Sequence, residues 1–339
     1  MKKINLLIMA TALAVTLTGC NKNKGHVNVG LLYCSAEANS LYQVNVVKAE
    51  LEAKGLSTKL ISFADSNDIS SVLNGSIDNV DTLYIPTDNT CASNAETIDA
   101  IVRGKNKPVF AGEEGLCRGC GAITLSISYY SIGVKTGKMA IDILLGNAEI
   151  DTLPIAYDEN PVKKYNKSFC EEVGIEVPED YIDIDEKGND TETADVAFQN
   201  TENRQFTIGI SQFVTHNALD AATRGFMDAV KLGLGEANVT FNYQNAASQT
   251  EMCTTIANNF VAQHVDLIMA NATPSLQAAA NSTTSIPILG TSVTEYGVAL
   301  GIENFNGVVG SNVSGTSDLA PLTEQANMLA TVFASYMQK

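Results

Sequence analysis

The chain has 339 residues, 45% of them hydrophobic and 17% charged, which is enough apolar material for two ordinary lobes and unlike a disordered or collagen-like composition. With 38 acidic against 21 basic residues the net charge is −17, a field that repels phosphate backbones and argues against nucleic-acid binding. Three histidines (His26, His216, His264) are too few for a His-rich metal site.

Lys2 and Lys3 precede an apolar stretch, Ile4 to Leu17, that is short for a bilayer span and ends in Leu17-Thr18-Gly19-Cys20. This start resembles bacterial lipoprotein signals. The resemblance implies cleavage after residue 19, acylation of Cys20, and a short tether over 20–26 that anchors an extracytoplasmic protein to the cell membrane. An ordinary signal peptide, or an anchor helix with an incidental Cys, is the alternative.

From Val27 onward, apolar strand candidates alternate with polar loops and helices. Val27–Tyr33 runs into Cys34–Ser40, Asp81–Pro86 into Thr87–Thr90, and Pro108–Ala111 into Gly112–Gly115. Val44, Val47 and Leu51 share one helical face, and Gly55 is a natural stop. Cys117-Arg118-Gly119-Cys120 is a lone CxxC in a Gly-rich loop, read as a loop disulfide or free thiols because no second pair accompanies it. Residues 179–204 carry nine acids against Lys187 and Arg204 with no period, which reads as an exposed acidic linker. The second stretch repeats the order of the first. Phe206–Ile210 runs into Ser211–Asn217, Asp266–Ala270 into Asn271–Ser275, and Pro287–Gly290 into Thr291–Glu295. Asn217 can cap a helix whose apolar face is Leu219, Ala222, Phe226 and Val230, and Thr273-Pro274 reads as a cap and first turn.

Strand–loop–helix alternation predicts an α/β fold with two Rossmann-like lobes, parallel sheets, helices on both faces, and ligand bound at the carboxyl ends of the strands. No GxGxxG, GxxxxGK[ST] or GxSxG motif stands in the sequence, so an enzyme is disfavoured.

Several motifs make the chain resemble the tryptophan/tyrosine-type ABC transporter substrate-binding lipoproteins. In Phe206–Leu329 they are Ile208-Gly209-Ile210-Ser211-Gln212-Phe213, Ala272-Thr273-Pro274 and Gly315-Thr316-Ser317-Asp318-Leu319-Ala320-Pro321, which resemble the family's first half. In Val27–Pro178 they are Glu37-Ala38-Asn39-Ser40, Pro86-Thr87-Asp88-Asn89-Thr90 and Ala111-Gly112-Glu113-Glu114-Gly115, which resemble its second half. The resemblance implies a type I periplasmic-binding fold with its halves circularly permuted: 27–178 mainly one lobe, 179–204 the join, 205–339 mainly the other. The helix near Ser131–Leu145 and the last helix, near Leu322–Met337, would each cross to the opposite lobe, and Lys339 would lie near Gly25. A rearranged product with impaired function, and halves exchanged between two chains, are the rival readings.

The same resemblance implies a monomer that captures a small solute, an aromatic amino acid foremost, by hinge closure, without a cofactor, and passes it to an ABC permease. A sensor signalling to a membrane receptor is the alternative. A carboxylate wants helix-start N–H groups and hydroxyls, for which Thr273, Ser275, Thr291, Ser292, Ser35 and Thr87 are candidates. An ammonium wants Asp88, Glu113 or Glu114. Phe213, Tyr129 and Tyr130 can supply flat walls, and Gln212, His216, Asn39 and Asn89 can orient polar groups. Asp88 and Asn89 would equally serve as helix caps, Glu113 and Glu114 could face solvent, Phe213 could be core, and His216 could sit on the rim.

Overall fold

A computed structural model describes residues 27–158, 160–184 and 193–338. Thirteen strands stand in chain order among them: β1 (Val27–Cys34), β2 (Thr58–Phe63), β3 (Val80–Ile85), β4 (Val109–Ala111), β5 (Ile123–Ser126), β6 (Ala156–Tyr157), β7 (Val162–Tyr165), β8 (Ile182–Asp183), β9 (Phe206–Gln212), β10 (Val239–Asn245), β11 (Leu267–Asn271), β12 (Ile288–Val293) and β13 (Val313–Ser317). The α-helices are α1 (Ala38–Ala53), α2 (Ile69–Ser76), α3 (Asn89–Ser93), α4 (Ala95–Gly104), α5 (Glu114–Cys120), α6 (Tyr129–Leu145), α7 (Lys167–Val173), α8 (Asn217–Leu234), α9 (Thr250–Ala262), α10 (Thr273–Ser282), α11 (Tyr296–Leu300) and α12 (Leu322–Tyr336).

The strands form two sheets, ordered β2-β1-β3-β4-β5-β7-β8 and β10-β9-β11-β12-β13-β6. Pairing is parallel throughout except between β5 and β7. Buried parallel strands read as continuous apolar runs because helices cover both faces. Val29, Leu31 and Leu32 of β1, and all of β11, are buried in this way. The edge strands β2 and β10 lack such runs, since their residues are only half covered.

Each lobe borrows one helix from the other half of the chain. Leu322, Ala326, Leu329, Val332 and Phe333 of α12 lie in the core of the first sheet, and Thr323 Oγ1 of α12 donates to Glu50 of α1 at 3.3 Å. Met139, Ala140, Ile141 and Leu144 of α6 lie in the core of the second sheet with Phe226 and Val230. α6 and α8 touch through glycine: a Cβ on Gly133 would stand 2.1 Å from the Ala222 carbonyl oxygen, and one on Gly225 2.2 Å from that of Tyr130. Three short segments therefore pass between the lobes: β5 to α6, β6 to β7, and β13 to α12.

The acidic segment differs from the expected exposed linker at both of its described ends. Ile182–Asp183 pairs with β7, and Ile184 is buried. Further on, the Gln199 N–H donates to Gly233 O at 2.8 Å, and Asn200 donates to Leu234 O at 3.1 Å. These bonds satisfy carbonyls that the end of α8 leaves free, and the sparse apolar residues, such as Val196, lie against the second core.

Other local expectations shift by a residue or change kind. His216, not Asn217, occupies the cap position of α8, and its side chain makes no capping bond. Thr273 is the first residue of α10, preceded by Ala272 at a positive φ of 86°. The CxxC lies on helix α5 rather than in a loop, and both thiols are free and buried. No helix among the described residues is long and apolar enough to cross a membrane. Cys20, its signal, and the expected closeness of Gly25 and Lys339 fall outside the described residues.

Candidate ligand-binding cleft

The carboxyl ends of both sheets face each other, and most of the sequence-predicted residues stand there. On the first lobe, Asp88 caps α3. Its Oδ1 accepts from Cys91 N at 2.8 Å and its Oδ2 from Cys34 N at 2.7 Å. Both oxygens thus serve the chain's own backbone, and burial raises the carboxyl's pKa. Glu37 is filled more completely, by Asn89 N (3.0 Å), Asn89 Nδ2 (2.8 Å), Thr90 N (2.8 Å) and Thr90 Oγ1 (2.7 Å). Burial, then the nearby Asp88, push it up to about 7. Because Asn89 spends its amide N–H on Glu37, its Oδ1 faces His216 Nε2, 3.2 Å away on the other lobe. That contact assigns the ring proton to Nε2 and leaves His216 Nδ1 as a buried acceptor with no partner among the described residues. Burial lowers the imidazole pKa to about 4.

Thr87 turns inward. Its carbonyl accepts from Asn39 Nδ2 at 3.1 Å, Ser40 Oγ at 3.3 Å and Gln43 Nε2 at 3.0 Å. Thr87 Oγ1 and Asn39 Oδ1 are buried without a hydrogen-bond partner among the described residues. Gly112 lets β4 approach this loop, since a Cβ there would meet the Pro86 and Thr87 backbone at 2.6 Å. Glu113 caps α5, accepting from Gly115 N and Leu116 N at 2.5 Å each, and burial pushes it up to about 7. Glu114 pairs with Lys164 and Arg118. Ser35 is tied to Phe63 O at 3.0 Å.

On the second lobe the adjacent ends of β11 and β12 hold strained backbone. Asn271 pairs with Thr291, so the next residues, Ala272 (φ 86°) and Ser292 (φ 53°), stand side by side. Positive φ at non-glycine residues is costly and clusters where a site over-determines the backbone. Ser292 Oγ and Asn271 Oδ1 are buried without partners among the described residues, and no side chain caps α10 beside them. Thr273 is buried at that helix start, and Phe213 is held near it by a 3.2 Å bond from its N–H to Asn271 O.

Other predicted residues are committed inside their lobe. Gln212 bonds Val214 O (2.9 Å), Asp220 (2.6 Å) and Thr223 (2.7 Å). Ser275 meets Ser211 at 3.3 Å, and Thr291 meets Thr316 at 3.2 Å. Tyr130 donates to Asp228 at 3.0 Å with Arg224 over its ring, between α6 and α8. It lines a cavity of about 400 Å³ together with Glu113, Glu114, Tyr129, Lys164 and Arg224.

At the lobe junction the Tyr129 hydroxyl lies near Thr87 Oγ1 and donates to Asp318 Oδ2 at 3.0 Å. Thr294 Oγ1 donates to the other Asp318 oxygen at 2.8 Å. Burial pushes Asp318 up to about 6. The Ser-Asp pair at the end of β13 was legible as part of a family motif, but nothing in the sequence marked Asp318 as lying at the lobe junction.

Two α/β lobes, three short crossings and a polar interlobe cleft define a hinged solute-binding protein. The chain belongs to the ABC transporter substrate binding protein family, whose profile matches residues 25–186 and 207–336. Proteins of this family bind solutes outside the cytoplasm and are not enzymes. Over 134 residues, 38% of this chain and 38% of the relative, it is 40% identical to a tyrosine-binding protein of Clostridioides difficile. It is 29% identical to an ABC domain from Streptococcus pneumonia in complex with L-Trp, over 46% of this chain and 56% of that one, with a TM-score of 0.44. A carbohydrate transporter solute binding protein from Agrobacterium Radiobacter, in complex with D-arabinose, covers 94% of this chain and 90% of its own at 10% identity and a TM-score of 0.59, a likeness of fold.

Proposed function

We propose that the protein captures an aromatic amino acid between its lobes and delivers it to an ABC permease for import. The observation that carries the reading is the set of buried, unpartnered polar atoms on both lobes: Thr87 Oγ1 and Asn39 Oδ1 on one, and Ser292 Oγ and Asn271 Oδ1 on the other. A buried polar atom without a partner is destabilising by about 1–3 kcal/mol, so such atoms at the carboxyl ends of both sheets call for a polar ligand. Ser292 and the uncapped start of α10 suit the ligand carboxylate. Phe213 and Tyr129 offer flat walls for an aromatic side chain, and the similarity to a tyrosine-binding protein supports that class.

Acylation at Cys20 holds the protein at the membrane, where a permease works. The order of the halves is permuted relative to the family, in keeping with the placement of α12 on the β1 sheet and with a family match interrupted at 187–206. The test is a thermal-shift panel on the mature chain with Cys20 replaced. L-tyrosine, L-tryptophan or L-phenylalanine raises the melting temperature, since a ligand at 100 times its Kd adds about 2.7 kcal/mol. A melting temperature unmoved by all three refutes the aromatic reading.

A further inference from the structure

We propose that Asp318 is the residue that receives the ligand's ammonium group. The proposal rests on the amino-acid reading above and names the part of the ligand that the cleft recognises at its hinge.

Of the other acids near the cleft, Glu114 is paired with Lys164 and Arg118, and the geometry of the remaining three sets them apart from Asp318. Asp88 accepts two backbone N–H groups, Glu113 two, and Glu37 two backbone N–H groups and two side-chain donors. Backbone N–H groups cannot turn away when a new donor arrives. Asp318 is held otherwise. It is 2% exposed, and besides its own backbone N–H its carboxyl is held by two hydroxyls, Tyr129 on one oxygen and Thr294 on the other. A hydroxyl is both donor and acceptor, so it can rotate, keep its own bond elsewhere, and leave a carboxylate oxygen open to an incoming N⁺–H. No Lys, Arg or His pairs with Asp318 among the described residues. A buried carboxylate without a counter-charge is costly, and a cation that arrives with the ligand removes that cost.

Independent of the acid itself, Thr87 Oγ1 points to a ligand at the same place. It is more than nine-tenths buried and, apart from the Tyr129 hydroxyl beside it, has no hydrogen-bond partner among the described residues. Ser292 Oγ, two residues before Thr294, is likewise buried and without a partner among the described residues. An α-amino acid placed here sets its ammonium on Asp318, with Thr87 Oγ1 as a second acceptor, and turns its carboxylate toward Ser292 and α10. Asp318 follows β13 in the crossing to α12, and Thr87 belongs to the first lobe, so the ammonium is held only when the lobes are closed.

The groups facing Asp318 are Tyr129 from α6, Thr294 after β12, Glu113 before α5 and Tyr296 from α11, all uncharged or acidic. The ammonium is bound by the ionised carboxyl, so affinity rises as pH rises from about 5.5 to about 8 and binding at the acid end releases protons to the buffer.

Calorimetry on the mature protein tests this with L-tyrosine, the des-amino acid 3-(4-hydroxyphenyl)propionate and the carboxyl-free tyramine. The expected result is tight binding of L-tyrosine and loss of at least 100-fold for the des-amino acid. Asp318→Asn weakens L-tyrosine by about 10- to 100-fold, the range of a lost charge-assisted hydrogen bond, and flattens the pH profile. Should Asp318→Asn fold poorly, the amino against des-amino comparison on the unaltered protein still decides. If L-tyrosine binds and neither Asp318→Asn nor removal of the amine weakens it, the ammonium assignment is wrong while the amino-acid reading stands. If a panel of amino acids and tyramine all fail to bind, both fall together.

Discussion

At the scale of single residues, the acids of the cleft separate by what holds them. Asp88 is a cap, so Asp88→Ala should lower the apo melting temperature as well as any binding. Loss of the α3 cap and of an acceptor for the buried Cys34 N–H together destabilise by about 2–4 kcal/mol, measured by chemical denaturation. Ser292→Ala should do the reverse. Its hydroxyl has no partner among the described residues, so stability holds or rises slightly while ligand affinity falls roughly tenfold. Ala272 gives a third reading of the same loop. At φ 86° and ψ 158° it occupies backbone space that only glycine takes without strain, so Ala272→Gly should stabilise the protein by about 1 kcal/mol. A melting temperature lowered by that substitution would count against strain at the site.

At the scale of elements, the lobes are assembled by close helix contacts that leave no room for side chains. Gly225→Ala puts a methyl 2.2 Å from the Tyr130 carbonyl oxygen and should destabilise by roughly 3 kcal/mol, because backbone cannot give way as a side-chain tip can. Gly75, exposed in α2 with open space around its Cα, is the control: Gly75→Ala should stabilise by about 1 kcal/mol. Elements of this kind were unevenly legible in the sequence. Buried parallel strands such as β1, β3 and β11 announce themselves as apolar runs ending in polar loops, and α8 by its Leu219, Ala222, Phe226, Val230 face. The half-covered edge strands β2 and β10 carry no such run, and the two-residue β6 and β8 owe their pairing to tertiary context. The acidic 179–204 segment read as solvent-exposed because charge dominates its composition, while the few residues that dock it (Ile184, Val196, Asn200) act through contacts distant in sequence. The same limit applied in the cleft. Residue type suggested Asp88 and Glu113 for an ammonium, yet only packing reveals that backbone donors from elsewhere in the chain already fill them and that Asp318, apart from its own backbone N–H, is held by the hydroxyls of Tyr129 and Thr294.

For the whole molecule, a cluster of buried acids between the lobes ties stability to pH. Glu37 and Glu113 are pushed up to about 7 and Asp318 to about 6, chiefly by burial. An acid raised on folding contributes stability below its ordinary pKa, and that contribution is lost as pH climbs through the raised value. The apo melting temperature should therefore rise as pH falls from about 8 to about 6. His216, lowered to about 4, acts in the opposite sense, contributing above its ordinary value of 6.5 and losing that contribution as pH falls toward 4. It caps the gain at the acid end. A ligand ammonium changes the balance, so the ligand-induced shift in melting temperature should be larger near pH 8 than near pH 6, against the trend of the apo protein. Because α6 and α12 each belong to the lobe opposite their own half of the chain, neither lobe can fold from one half alone, and the melt should be a single transition.

The interlobe cleft is proposed to hold a free amino acid. Isothermal titration of the mature protein with the twenty amino acids at neutral pH tests it most directly. Saturable one-to-one binding of an aromatic member is expected, strongly weakened in Asp318→Asn and unaccompanied by turnover. Heat from sugars alone, or from none of the amino acids, would contradict it.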